Sequence, residues 1–150
     1  MNTVKEYTDY LFNCRFTDEA FDPEEHEEHL KLSWDLFDSF SWDEIYPVWL
    51  EHLRTQCKTP EAVINFVNLY VYYEASDRPV PDPFEFIGYL YSKVDMDLHW
   101  DEAGELFEGL AINILSKTGH LNLTDAPYYS PLKDERVLNS IAQWRHNPES

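Results

Sequence analysis

The chain predicts an all-α fold on three observations. Capped helix starts recur along it, apolar residues return every three or four positions, and no Asn-Gly or Asp-Gly turn joins two alternating runs into a hairpin. The expected architecture is a compact single-domain bundle of about seven helices over residues 1–150, with 146–150 as a frayed tail. A short α-solenoid of helix pairs is the alternative, because a two-helix beat runs at roughly 23–57 and 59–93 without a fixed letter repeat.

The first apolar stripe is Val4, Tyr7, Leu11 and Cys14. The next helix starts at Asp22-Pro23, where the aspartate can accept a backbone N–H and proline gives up a donor that had no partner there. Its predicted inward face is Leu30, Trp34, Phe37 and Phe40. Ser41-Trp42-Asp43-Glu44 reads as a capping box that opens a helix with the stripe Trp42, Ile45, Tyr46, Trp49 and Leu53. Pro47 falls inside that helix, and a kink or restart is expected there.

Thr59-Pro60-Glu61 starts the following helix. The run Val63 to Tyr73 is apolar nearly all round, as a central helix would be; a buried strand is its rival, and the cap decides for helix. Asp82-Pro83 opens a stripe of Phe84, Ile87, Leu90 and Tyr91. Ala103, Leu106, Phe107, Leu110, Ala111 and Ile114 form the strongest stripe, with Gly119 as its C-terminal cap. The last start is placed at Ser130-Pro131, followed by Leu132, Val137, Leu138, Ile141 and Ala142.

Charge dominates the composition: 29 acidic against 11 basic side chains, a formal net of -18. Solubility asks for a net charge of only about 2 to 8 in a small domain, so most of the excess has another cause. Five Trp, ten Tyr and nine Phe argue for a folded core despite that charge. Residues 18–44 hold eleven acids and one base, Lys31. A second group, Asp95, Asp97, Asp101, Glu102, Glu105 and Glu108, contains no base at all.

Acids beside a helix N-terminus are stabilised by its dipole, which explains part of the pattern. The remainder is uncompensated and repels itself, a cost that a basic partner would offset. The candidate partner-binding residues are therefore Glu24, Glu25, Glu28, Asp35 and Asp38, with Glu24, Glu28 and Asp35 grouped opposite the apolar side of their helix. Asp101, Glu105 and Glu108 are the second set.

Other chemistries are poorly supported. His26 and His29 in EEHEEH are three apart, not the four of an HExxH zinc helix, and no third ligand is signalled. His26 is expected near the core edge. The run Asp95 to Asp101 resembles a calcium loop only faintly, since Trp100 and Leu106 replace the required glycine and glutamate. Cys14 and Cys57 have no metal or redox spacing and are expected to be free thiols. No G-x-S-x-G elbow or glycine-rich phosphate loop occurs, so no catalytic residue, metal or cofactor is assigned and no enzyme is expected.

No basic-then-apolar leader or long apolar run is present, which points to the cytoplasm. The charge disfavours direct binding of nucleic acid or membrane. A small, very acidic chain of this kind resembles, by class alone, the immunity proteins that neutralise bacterial toxins such as nucleases. That resemblance implies an inhibitor that caps a basic surface. The alternatives are a DNA-mimic blocker of a nucleic-acid-binding effector, of anti-restriction or anti-CRISPR type, and a helical adaptor that binds a peptide in an aromatic groove. Tyr128 and Tyr129 are the loop aromatics weighed for exposure, with covering a core edge as the favoured role.

Overall fold

A computed structural model describes residues 2–13 and 23–146, with the side chains of Pro23 and Glu25 left out. Cys14, the Asp22 cap, the acids Asp18, Glu19 and Asp22, and residues 147–150 of the tail expected at 146–150 lie outside the described residues; His146 is the last residue of a helix. Among the described residues there is no strand, and seven helices run eight residues or more. The all-α expectation holds. The chain divides into two compact units, residues 1–75 and 76–150.

The first unit contains α1 (Val4–Leu11), α2 (Pro23–Ser39), α3 (Trp42–Gln56) and α4 (Pro60–Tyr72). Thr3 caps α1 by accepting the Glu6 N–H at 3.1 Å, and Thr59 caps α4 by accepting the Ala62 N–H at 3.1 Å. At α3, Glu44 reaches back to accept the Ser41 N–H at 3.0 Å, which is one half of the expected capping box. The restart expected at Pro47 does not occur. Helix α3 runs unbroken through it, with Ile45, Tyr46, Trp49 and Leu53 buried around it.

Helix α4 is helical where a strand was the rival, and it buries Val63, Ile64, Phe66, Val67, Leu69 and Tyr70. The core it joins is aromatic. Trp49 is fully buried, with Phe12 at 4.8 Å, Trp42 at 5.8 Å and Tyr70 at 5.9 Å, all edge-on, an arrangement that ring quadrupoles favour. The Tyr73 hydroxyl donates to the Leu11 carbonyl at 2.6 Å. This satisfies one of the carbonyls left over at the end of α1 and ties it to the end of α4.

The second unit contains α5 (Pro83–Lys93), the one-turn α6 (Met96–His99), α7 (Glu105–Lys117) and α8 (Glu135–His146). Asp82 caps α5 by accepting the Glu85 N–H at 3.1 Å. Between α6 and α7 the chain makes a π-helical turn, Trp100–Gly104. Gly119 ends α7 as expected: at φ +79°, it lets His120 N–H reach the Leu115 carbonyl at 2.9 Å and its own N–H the Ser116 carbonyl at 3.4 Å.

The start of α8 differs from expectation. Ser130-Pro131 makes only a 3-10 turn, Pro131–Lys133, and Ser130 offers no side-chain cap. Asp134 is the true cap: its carboxylate accepts the Arg136 N–H at 2.9 Å and its carbonyl the Leu138 N–H at 2.9 Å. The later start rotates the inward face to Val137, Ser140, Ile141 and Trp144, leaving Leu138 and Ala142 exposed. Trp144 anchors α8 on α5 by donating to the Glu85 carbonyl at 3.1 Å.

Candidate functional site

On α2 the buried line is His26, His29, Ser33 and Leu36, a three- and four-residue spacing that defines one side of the helix. Both histidines are deeper than the core edge expected for His26. The His29 ring stacks on Tyr10 at 4.8 Å, and His26 meets the Tyr72 ring edge-on at 5.7 Å. Trp34, expected inside, is 48% exposed instead. The outward shift follows from the polar His26, His29 and Ser33 taking the inner positions beside Leu36, so the apolar stripe lies to one side of the true buried line.

The outer face carries the predicted acids. Glu24, Glu28, Asp35 and Asp38 are all exposed on α2, at spacings that put them on one side; the side chain of Glu25 lies outside the described residues. The only base on α2 is Lys31, which pairs with Glu27 at 3.5 Å, both about two-thirds exposed. An exposed pair of this kind contributes little, so the face keeps its negative charge.

In the second unit, Asp101 is exposed on the π-helical turn and Glu105 on the first turn of α7. Glu108 is half-buried. Burial raises the Tyr91 phenol above its ordinary range, and the Glu108 charge adds to that shift. The Trp100 indole leans over Gly104, where an added Cβ would lie 2.6 Å from the ring, yet Trp100 remains 51% exposed. His99 Nδ1 lies 3.2 Å from Glu102 Oε2.

A second cluster of polar side chains was not visible in the sequence. One side of α1 with the residues just after it, the last turn of α3 and the first half of α4 line a cleft of about 580 Å³, a volume in the range of small-ligand sites. Lys5 and Asp9 stand at its exposed edge, joined at 3.2 Å, and His52 Nδ1 is 3.8 Å from the other Asp9 oxygen. Phe12 and Phe66 are stacked in its wall at 4.6 Å, and Asn13, Gln56 and Asn65 add side-chain amides. The Lys5–Asp9 spacing is an ordinary helical pair in the sequence; its approach to His52 depends on how α1 packs on α3.

Burial disfavours the charged form of His52 and lowers its pKa, with Asp9 opposing and Lys5 assisting. Cys57, also in the wall, is a free thiol pushed by burial up to about 11. A thiol held neutral in this way is a poor nucleophile at neutral pH.

Tyr128 and Tyr129 separate. Tyr128 is 90% exposed, whereas the Tyr129 hydroxyl donates to Asp134 Oδ2 at 2.8 Å. Arg136 grips the same carboxylate through Nε at 3.1 Å and Nη2 at 2.9 Å, and its guanidinium lies 4.5 Å over the Phe84 ring. This Tyr129–Asp134–Arg136 cluster is structural, because it closes the α8 cap.

No group of three or more His, Cys, Asp or Glu placed to hold a metal ion occurs among the described residues. Among them, too, no helix is long and apolar enough to cross a membrane. No protein-family description, curated protein or solved structure matches the chain.

Proposed function

We propose that this chain is a protein-binding inhibitor whose acidic outer face caps a basic surface of a partner, as an immunity protein caps a nuclease-type toxin. The observation that carries this reading is the outer face of α2: Glu24, Glu28, Asp35 and Asp38 are exposed, with Lys31 the only base on the helix. Such a face makes the local potential negative, attracts a basic surface and speeds encounter, and it competes with a polyanion for the same partner. Trp34 is exposed on that helix and supplies the aromatic contact that acidic side chains lack. Asp101 and Glu105, exposed on the other unit, with the half-buried Glu108 on the same helix as Glu105, are the second acidic group.

The test is capture of the partner from the native host at low salt, repeated at about 0.5 M salt, where the Debye length is roughly 4 Å. The captured protein is then titrated against the triple variant Glu24→Lys, Glu28→Lys, Asp35→Lys, with helical content checked by circular dichroism. A basic toxin that is released by salt and lost by the triple variant supports the reading. Equal binding by wild type and variant removes α2 as the site, and capture of a restriction or CRISPR effector reassigns the face to DNA mimicry.

A further inference from the structure

We propose that the π-helical turn after α6 is a docking site for a lysine- and arginine-rich protein segment with apolar side chains at its centre, and that Trp100 is its anchor. The site rests on the reading of the chain as a binder of basic surfaces and deepens it, but it uses no residue of α2.

Helix α6 buries no residue, so the core does not account for it. Leu98 is 77% exposed, and Trp100, which opens the π-helical turn, is 51% exposed. Single exposed apolar side chains are ordinary on a surface; what sets Trp100 apart is how its indole is held. A Cβ at Gly104 would lie 2.6 Å from Cδ2 and Cε3 of the ring, so only glycine admits the indole in this position. Residue 104 gives up helix propensity for that seat. A ring seated on one side and half open to solvent loses little freedom when a partner covers it, as suits a contact that dominates an interface. π-Helical turns recur at functional sites.

Charge names the occupant. Asp95, Asp97, Asp101, Glu102 and Glu105 flank Leu98 and Trp100 in the sequence and are exposed, and no lysine or arginine occurs from Val94 to Ser116. Among the described residues the one ion pair of this segment is His99 with Glu102, at 3.2 Å. Lys93, the base that precedes it, lies with Nζ 5.4 Å from the Tyr89 ring centroid. Carboxylates flanking an exposed indole match a partner segment with bases on either side of apolar residues: charge directs the encounter, and the covered indole holds the complex. A second copy of this chain, at net -18, is repelled by the same carboxylates, as is any polyanion.

The experiment is an NMR titration of the full chain with two peptides of equal charge, acetyl-Arg-Lys-Leu-Leu-Lys-Arg-amide and the same peptide with serines in place of the leucines. The expected result is saturable shifts at the Trp100 indole N–H and the Leu98 and Asp101 amides, with the leucine peptide bound about tenfold more tightly, the scale of one aromatic anchor. Trp100→Ala should remove that preference, and Leu98→Ser, at a side chain too exposed to affect folding, should reduce it about threefold. Gly104→Ala, which changes no charge, should move the indole resonance and weaken the leucine peptide alone. The α2 variant Glu24→Lys, Glu28→Lys, Asp35→Lys should leave these shifts in place. No saturation at Trp100, equal binding of the two peptides, or a leucine preference that survives Trp100→Ala overturns the proposal. Shifts confined to α2 and lost in its triple variant overturn it too, while leaving the α2 reading intact. Movement of the Trp100 indole resonance on dilution of the chain alone identifies a second copy as the occupant and likewise overturns it.

Discussion

The α-carbon of Gly88 on α5 lies so close to Ser140 on α8 that an added Cβ would meet the serine Oγ at 2.0 Å and its Cβ at 2.4 Å. Backbone-close packing is how α5 and α8 hold each other, and it leaves no room for a methyl group. Gly88→Ala should therefore destabilise the protein by about 2 kcal/mol, the usual scale for overpacking. Urea denaturation measures it, and adding Ser140→Gly should recover a good part of the loss.

Asp134 serves two structures at once, as the cap of α8 and as the acceptor for Tyr129 and Arg136. Burial alone would raise its pKa, but the bonds from Arg136 and Tyr129 outweigh it and hold the carboxyl below its ordinary 3.8. Asp134→Ala should cost about 2 kcal/mol, for the cap and the bonds to Tyr129 and Arg136 together. Since the folded pKa is the lower one, this contribution is complete above pH 3.8 and lost as pH falls through the folded value. The difference between wild type and variant should thus shrink in acid.

His52 makes the opposite residue type behave in the same sense. Its folded pKa lies below the ordinary 6.5, so below that pH the unfolded chain binds the proton more readily than the folded one. Stability contributed by neutral His52 is whole above pH 6.5 and declines as pH falls toward the folded pKa. Unfolding free energies at pH 7.5 and 5.5 should show this decline, and His52→Gln should flatten it.

Cys57, with its pKa near 11, should react slowly with iodoacetamide at pH 8. At that pH the thiolate fraction is about a hundredfold below that of an ordinary cysteine. Peptide mapping by mass spectrometry reads this thiol separately from Cys14. Rapid labelling would show that the wall of the cleft opens in solution.

Glu74 follows α4 in the left-handed region, at φ 63°, a place more often given to glycine. A side chain there carries a conformational cost of about 1 kcal/mol. Glu74→Gly should raise stability by about 0.5 kcal/mol, the greater freedom of the unfolded glycine offsetting part of the gain. A rise in the thermal midpoint checks it.

The features legible in the sequence are local ones. Thr59, Asp82, Ser41 and Gly119 do what their positions predict, because a cap is decided within four residues. The α2 acids are exposed as expected for the same reason: a helix period is enough to group them. Hydrophobicity alone turns Trp34 inward, whereas His26, His29 and Ser33 hold the inner positions. Ser130-Pro131 is a good cap in isolation and loses to Asp134, whose extra bonds come from Tyr129 and Arg136. The cleft is hidden from a linear reading because Asp9 meets His52 only through packing of α1 on α3.

The π-helical turn from Trp100 to Gly104 winds one more residue than an α-helical turn would. It acts as a phase shifter between α6 and α7. Asp97 on α6 and Glu105 on α7 stand on either side of this irregular turn, with His99 at φ -121° before it, so the α-helical period that groups the α2 acids does not relate them. A single helical wheel drawn through residues 95–108 would therefore misplace one group of these acids against the other.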